Sequence, residues 1–246
     1  MKIEFPLSYS AMATYEECPR RWYQRYVVRA PSKPKHFFSL GHSLHAAVEY
    51  FYTGDSPPKL MDLWQALETA WISEGYRDLA QEAEYHDQGK QILMKFWEKH
   101  STDYKKPIAT ELKFTVKLGG VPLTGKVDRV DAVKGGIGIL DYKTGKPIDP
   151  ERVAEDSQLT TYQAACELAL KKKVRELTLY HLPTQTPLVS KRRTEEQVAA
   201  VVKRLRAVAR GIDQDKFKET PTDNACRWCN YRLGCPAMKN ETGSRF

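Results

Sequence analysis

Two aspartates and a lysine stand close together near the middle of the chain, in Gly125-Lys126-Val127-Asp128 and then Ile139-Leu140-Asp141-Tyr142-Lys143. If both segments are neighbouring antiparallel strands, Asp128 and Asp141 can converge on one divalent ion, because carboxylate oxygens suit hard cations such as Mg²⁺ or Mn²⁺. Lys143 follows Asp141 by two residues and therefore projects from the same face of its strand. A lysine so placed can orient or activate water and offset charge developing on a phosphate, which is what metal-assisted phosphodiester hydrolysis requires. Surface acids beside a lysine are common, and an isolated D-x-K arises often by chance. The apolar strand ahead of this one and the G-x2-D before it raise it above that background.

Other residues fit the same centre. Gly41-His42-Ser43-Leu44-His45 is expected to open a helix, and a neutral imidazole from His45 can supply a third metal ligand, although a histidine is as often simply satisfied or exposed. Gln158 and Tyr162 are four apart on an expected helix, so both leave one face; they can hold the lysine, contact a substrate, or only pack. Glu111, before the first strand, is left unassigned between a distant metal-shell group and a surface acid. A second constellation sits at the two ends of the chain: Cys18, then Cys226, Cys229 and Cys235 in a C-x2-C-x5-C run. Thiolate-only coordination suits a [4Fe–4S] cluster or a structural zinc ion equally, and spacing does not choose between them. Joining Cys18 to Cys226 would close a loop containing most of the chain, an effect on the order of a few kcal/mol by analogy with disulfides. Arg20, Arg21 and Arg227 beside these cysteines are candidate nucleic-acid contacts, and Trp22 and Trp228 are candidate packing around them. Cys166 is the odd one out and reads as a buried core thiol.

The elements that must position these groups follow from period and punctuation. Ser8 or Ser10 can cap a helix running toward Glu17, and Pro19 fits the first turn of a second helix carrying Trp22, Tyr23, Tyr26 and Val27. Helical spacing recurs from Ser43 to about Tyr52, Leu60 to about Leu79 and Glu82 to about His100, forming a helical lobe. The period then changes. Glu111 to Leu118, Val121 to Val133 and Ile137 to Tyr142 read as a three-stranded meander turned first at Gly119-Gly120. A helix from about Asp156 to Leu170 follows, then strand candidates at Leu177 to Leu182 and Thr186 to Ser190. Thr194-Glu195-Glu196-Gln197 is a capping box opening a helix with Val198, Val201, Leu205, Val208 and Ile212 on one stripe. Lys191, Arg192, Arg193, Lys203, Arg204, Arg206 and Arg210 form a basic set that can track a phosphate backbone or be a solvated face.

The chain has 246 residues, 41% hydrophobic and 11% aromatic, enough for one elaborated domain or two small lobes. Its formal charge of +8 and pI near 9.1 favour polyanionic partners without proving nucleic-acid binding. The longest stretch free of Asp, Glu, Lys and Arg, His36 to Val48, is too short and too polar to span a bilayer. MKIEFPLSYS places a glutamate and a proline where a signal peptide needs a continuous apolar run, so an intracellular, cytoplasmic protein is expected. There, disulfides have little place.

The order Gly41-x3-His45, Gly125-x2-Asp128, Asp141-x-Lys143, Gln158-x3-Tyr162 resembles the four successive motifs of RecB-like nucleases of the PD-(D/E)XK superfamily. The wording GKVDRVD and LDYKTGK, and the opening SYSAMATYEECPRRWYQRYV, are similar too, so the resemblance covers nearly the whole chain. Cys18 with Cys226, Cys229 and Cys235-Pro236 is similar to the iron–sulfur branch, which includes AddB-type nuclease domains and CRISPR-associated RecB-like exonucleases. The resemblance implies an α/β restriction-endonuclease-like core, a central mixed sheet flanked by helices, within a single domain over 1–246. It further implies a helical lobe at 43–105 and a cluster segment joining 18 to 224–238. It implies a metal-dependent DNA nuclease, a single-strand exonuclease of DNA repair, recombination or CRISPR adaptation. Asp128, Asp141, Lys143, Gln158 and Tyr162 would be catalytic, and His45, Asp128, Asp141 and the Tyr142 carbonyl would hold Mg²⁺ or Mn²⁺. The four cysteines would hold a [4Fe–4S] cluster. DNA with free ends is the implied partner, with a helicase or a CRISPR adaptation protein as a further one; the chain carries no Walker A motif of its own. The alternatives are a non-catalytic iron–sulfur subunit of a larger complex and a zinc-stapled nucleic-acid-binding protein.

Overall fold

The computed structural model describes residues 6–239. The MKIEF opening and the two ends of the expected 1–246 domain lie outside them. In chain order the elements are α1 (Tyr9–Glu17), α2 (Pro19–Tyr26), α3 (His36–Phe51), α4 (Leu60–Thr69), α5 (Leu79–Ser101), β1 (Ala109–Leu118), β2 (Val121–Val133), β3 (Gly136–Lys143), α6 (Pro150–Val153), α7 (Ser157–Leu170), β4 (Val174–His181), β5 (Thr186–Lys191), α8 (Glu195–Asp213), α9 (Asp223–Arg227) and α10 (Pro236–Lys239). The strands form one mixed five-stranded sheet in the order β1-β2-β3-β4-β5, with helices on it, an α/β fold. The meander is as expected for β2 and β3, which pair antiparallel, whereas β3 and β4 pair parallel and β4 and β5 antiparallel. A parallel neighbour requires a crossover, and α7 supplies it.

Two compact units divide these residues. The larger comprises residues 34–114 and 126–198. In it β3 is buried along most of its length, as expected for a central strand covered on both faces. Helices α3, α4 and α5 pack through Leu44, Val48, Phe51, Leu63, Leu67, Leu93 and Phe96 onto Tyr142, Tyr180 and Leu182. Phe51 and Phe96, both fully buried, meet edge to face at 5.2 Å. Burying a side chain of that size contributes about 1.5–3 kcal/mol, so this layer anchors the strand that carries Asp141.

Three helix boundaries differ by three residues or more from the sequence expectation, and β4 begins at Val174, three residues before Leu177. Helix α3 begins at His36, seven residues before Ser43, because Lys35 caps it in extended backbone and the Gly75 carbonyl accepts the His36 N–H at 3.1 Å. The Gly41–His45 motif therefore lies inside a helix. Helix α4 stops at Thr69 and not near Leu79: Trp71 turns back to donate its ring N–H to Glu82 at 2.9 Å, which ends the helical stripe. Helix α5 starts at Leu79, capped by Asp78, which accepts from the Gln81 N–H.

The smaller unit comprises residues 6–33, 115–125 and 199–239. Ser8 caps α1 by accepting from the Ala11 N–H at 3.1 Å, and Pro19 opens α2, both as expected. Gly119 and Gly120 turn the hairpin with φ of +57° and +88°, backbone that side-chain-bearing residues adopt only at a cost. Trp22 is fully buried and stacks on Phe217 at 5.7 Å. Among the described residues no helix is long and apolar enough to cross a membrane.

Candidate active site

The centre assembles where the β2–β3 ladder runs out. Arg129 is paired with Leu140, and Asp128 and Asp141 are the next residues on either strand. Asp128 does not continue the ladder with its backbone. Its Oδ2 instead accepts the Tyr142 N–H at 2.8 Å, so one strand's side chain substitutes for the missing backbone partner. On the other side of β3, Lys143 stands opposite His181 of β4, and the Lys143 carbonyl accepts the Leu182 N–H at 2.9 Å. The site-bearing end of the strand is thus held from both sides.

Asp141 is 4% exposed. Its Oδ2 lies 2.6 Å from Lys143 Nζ, and its Oδ1 accepts from Gln158 Nε2 at 2.9 Å. Lys143 Nζ also donates to Gln158 Oε1 at 2.8 Å, and Gln158 Nε2 lies 3.0 Å from the Tyr162 hydroxyl. Helix α7, capped by Asp156, thereby uses its i and i+4 positions to lock the acid and the lysine into one cradle. Burial and the neighbouring Asp128 charge push the Asp141 carboxyl up, to about 6, against the opposing pull of Lys143. Burial alone would lower the Lys143 ammonium pKa, yet Asp141 more than reverses this and raises it.

His45 projects from α3 with Nδ1 3.5 Å from Asp128 Oδ2. The motif glycine has a local reason: a Cβ at Gly41 would stand 3.0 Å from Thr144 Oγ1, so glycine lets α3 lie close to the segment leaving β3. Burial of the imidazole works to lower its pKa, and the hydrogen bond and charge of Asp128 with the charge of Asp141 raise it overall. The Tyr142 ring is buried and meets His45 edge-on at 6.0 Å.

Glu111 joins this group. His45, Glu111 and Asp128 each offer a ligand atom within 4.8 Å of the others, a nitrogen and two carboxylate oxygens suited to Mg²⁺ or Mn²⁺. Asp141 lies outside that trio, its oxygens turned to Lys143 and Gln158. Glu111 has a left-handed backbone, φ +50°, rare for a residue with a side chain and worth roughly 1–3 kcal/mol of strain, and Lys126 is its ion-pair partner. No pattern in the sequence marks it; only the turn of the chain at the start of β1 brings it in. Arg129, within GKVDRVD, points elsewhere: its guanidinium lies 4.3 Å from the Tyr52 ring and donates to Asp131 at 2.8 Å.

The cysteines are gathered but not closed. Cys18, Cys226, Cys229 and Cys235 all line one cavity in the smaller unit, with Arg20 and Arg21 on its wall. All five cysteines of the chain are free thiols. Among the described residues no three of the four sulfurs lie within 4.8 Å of one another. A single tetrahedral zinc ion with arms of about 2.3 Å would hold them closer than that. Cys166 is fully buried, and burial pushes its thiol up to about 12, consistent with a core role.

The basic set divides. Arg193 is not on a solvated face: it is 3% exposed and donates to the Val153 carbonyl, to Thr160 Oγ1 and to Ser190 Oγ, bracing α7. Arg192 pairs with Glu167, Arg204 with Glu16, and Arg206 donates to the Gly119 carbonyl. Trp22 is packed as expected, whereas Trp228 is half exposed beneath Arg227.

A mixed sheet whose two neighbouring strands β2 and β3 present two carboxylates and a lysine, braced by a glutamine and a tyrosine from the crossover helix, defines an α/β protein with an acid–lysine centre. The chain belongs to the PD-(D/E)XK nuclease superfamily, which it matches over residues 6–236. It is 26% identical over 140 residues to the Gene 69 protein of Mycobacterium phage D29, covering 53% of this chain and 49% of that one. It is 25% identical over 136 residues to the Gene 69 protein of Mycobacterium phage L5, covering 53% and 45%. The chain thus spans about half the length of the curated relatives it matches. A crystal structure of a candidate exonuclease from Eubacterium rectale superposes with a TM-score of 0.53 at 13% identity, covering 98% of this chain and 90% of that one, a likeness of fold.

Proposed function

We propose that the chain is a metal-dependent deoxyribonuclease, and specifically an exonuclease acting on single-stranded ends. The observation that carries the reading is the ion pair of buried Asp141 with half-buried Lys143, held by Gln158 and Tyr162 beside the His45–Glu111–Asp128 group. His45, Asp128 and Asp141 would hold Mg²⁺ or Mn²⁺, with the Tyr142 carbonyl as a further ligand and Glu111 added to the set. Such an ion, when bound, supplies Lewis acidity toward the phosphoryl oxygens and lowers the pKa of water. Lys143, kept as an ammonium by Asp141, orients the attacking water and offsets negative charge on the phosphate. Gln158 fixes the spacing of acid and lysine, and Tyr162 fixes Gln158. Exonuclease action on single strands rests on the resemblance of the histidine motif and on the helical lobe at 43–105.

The four cysteines are proposed to hold a [4Fe–4S] cluster, placing the chain in the iron–sulfur branch with AddB-type and CRISPR-associated enzymes. Support comes from the thiol-only donor set and from the cavity that the four cysteines share. We propose further that residues 1–246 act as one nuclease domain in the cytoplasm, in repair, recombination or CRISPR adaptation, with any unwinding supplied by a helicase partner.

The test is cleavage of end-labelled single-stranded and duplex DNA, with and without Mn²⁺, by anaerobically purified wild type and Asp141→Ala, with the visible spectrum of each recorded. Metal-dependent shortening from one end, absent in the variant, is the expected result. Full activity in Asp141→Ala would refute the site assignment. A colourless, zinc-loaded, inactive protein would favour the zinc-stapled binding protein.

A further inference from the structure

Helix α3 carries two exposed phenylalanines for which the mechanism has no use. Phe37 is 41% exposed and Phe38 59%, adjacent in sequence with ring centroids 4.5 Å apart. Single exposed apolar side chains such as Met61 or Leu79 are ordinary. Two touching rings left in water are not, since covering their remaining apolar surface is favourable. They have no route inward: Ser39, Leu40, Ser43, Leu44, Ala47 and Val48 already fill the buried face of α3.

The pair is also held in place. His36, just before it, meets Phe37 at 5.4 Å, Tyr85 at 4.9 Å and Tyr76 at 6.2 Å. The His36 N–H donates to the Gly75 carbonyl, and Ser39 Oγ donates to the Glu74 carbonyl at 2.6 Å. Lys35 Nζ lies 5.9 Å from the Phe37 ring centroid, so a cation stands beside the pair.

Position on the helix connects the pair to the centre. Seven residues separate Phe38 from His45, which is close to two full turns, so the two lie on one stripe about 10 Å apart along the axis. His42, between them, is exposed on the same side. We propose that Phe37 and Phe38 form a stacking platform for the unpaired bases of a single DNA strand whose backbone continues along α3 to the centre at His45. Aromatic rings bind any base through its π face, and the neighbouring lysine suits the phosphates between bases. A duplex, whose bases are already stacked, offers nothing to these rings except at a frayed end. The proposal rests on the nucleic-acid reading of the same site, and supplies a physical cause for its preference for single strands.

The test is a fluorescence anisotropy titration in EDTA, which suppresses metal-dependent cutting, with the full chain and three probes of equal length: labelled oligothymidylate, an abasic strand and a blunt duplex. Wild type is expected to bind oligothymidylate more tightly than the abasic strand. Phe37→Ala/Phe38→Ala should weaken oligothymidylate binding about tenfold or more while leaving the abasic strand unchanged, and Phe38→Trp should keep wild-type affinity. An unchanged melting temperature of the double variant would show that the fold is intact. Equal losses on normal and abasic strands, a loss confined to the duplex, or no loss at all would overturn the platform. The nuclease reading fails separately: base-dependent binding without any metal-dependent cleavage would leave the platform standing, and cleavage by a protein with no base dependence would sink the platform alone.

Discussion

Around Asp141, the polar atoms of four side chains answer one another: the carboxylate meets Lys143 and Gln158, and Gln158 meets Tyr162. The hydrogen bonds of the four cysteines themselves are local backbone ones, while Thr220 and Tyr231 of the same cavity reach back to the Glu17 and Ala30 carbonyls. Cys226 is tied to Thr222, Cys229 to Cys226, and Cys235 to Arg232, each within a turn or two of chain, and Leu233 between them is 99% exposed. The first region is ordered by side chains drawn from a strand and a helix, each itself packed in a core. The second is ordered by short turns that share a cavity. Side chains from two packed elements thus define the geometry of the acid–lysine centre, whereas the proposed cluster, if bound, would be what ties the four cysteines to one another.

That contrast can be broken most directly at the two regions themselves. Asp141→Ala or Lys143→Ala should lower cleavage by at least about a hundredfold, with the melting temperature little changed; a large fall in melting temperature would mean that the cradle is structural first. Cys18→Ala or Cys229→Ala should do the reverse. The expected loss is on the order of 2–4 kcal/mol of stability, seen as early proteolytic nicking of the terminal segments. Nicking no faster than in wild type would show that the thiols hold nothing together.

Smaller effects sharpen the comparison. His100 lies behind the acid–lysine centre against Phe96, with Tyr180 OH 2.8 Å from its Nε2, and burial, aided by Arg129 and Lys99, lowers its pKa to about 4. The unfolded chain protonates this ring near pH 6.5 and the folded chain resists doing so. Its contribution is therefore intact above about pH 6.5 and is lost progressively as pH falls toward the folded value. Between pH 7 and pH 5 the loss should be about 1–2 kcal/mol, and His100→Asn should flatten that slope in melting curves; an unchanged slope would place the acid sensitivity elsewhere. Last, Glu111→Gln should weaken Mn²⁺ binding about tenfold by calorimetry, and wild-type affinity would remove Glu111 from the metal group.

Much of this was legible in the sequence, for identifiable reasons. Alternation and glycine turns located β2 and β3, and the two-residue step from Asp141 to Lys143 put both groups on one face. The i, i+4 spacing of Gln158 and Tyr162 put both on one helix face, and contact with Lys143 was one of the readings it left open. What was hidden depended on chain reversals. Trp71 reads as a continuing helical stripe until its ring N–H finds Glu82. Arg193 reads as surface charge until three oxygens from separate elements enclose it. Glu111 stays open between a distant metal-shell group and a surface acid until its own left-handed backbone near the start of β1 sets it beside His45 and Asp128. Charge and period are local properties, and these three environments are not.

The two neighbours of β3 run in opposite senses, β2 antiparallel and β4 parallel. A slip of one residue would turn Asp141 and Lys143 to the opposite side of the sheet, and it would have to break two ladders of different geometry at once. The irregularity that the β3–β4 ladder does contain falls between Ile137 and Gly138, at the far end of the strand from Asp141. Mispairing during folding is therefore opposed from both edges at the strand where a shifted alignment would leave a stable-looking sheet with Asp141 and Lys143 facing the wrong way.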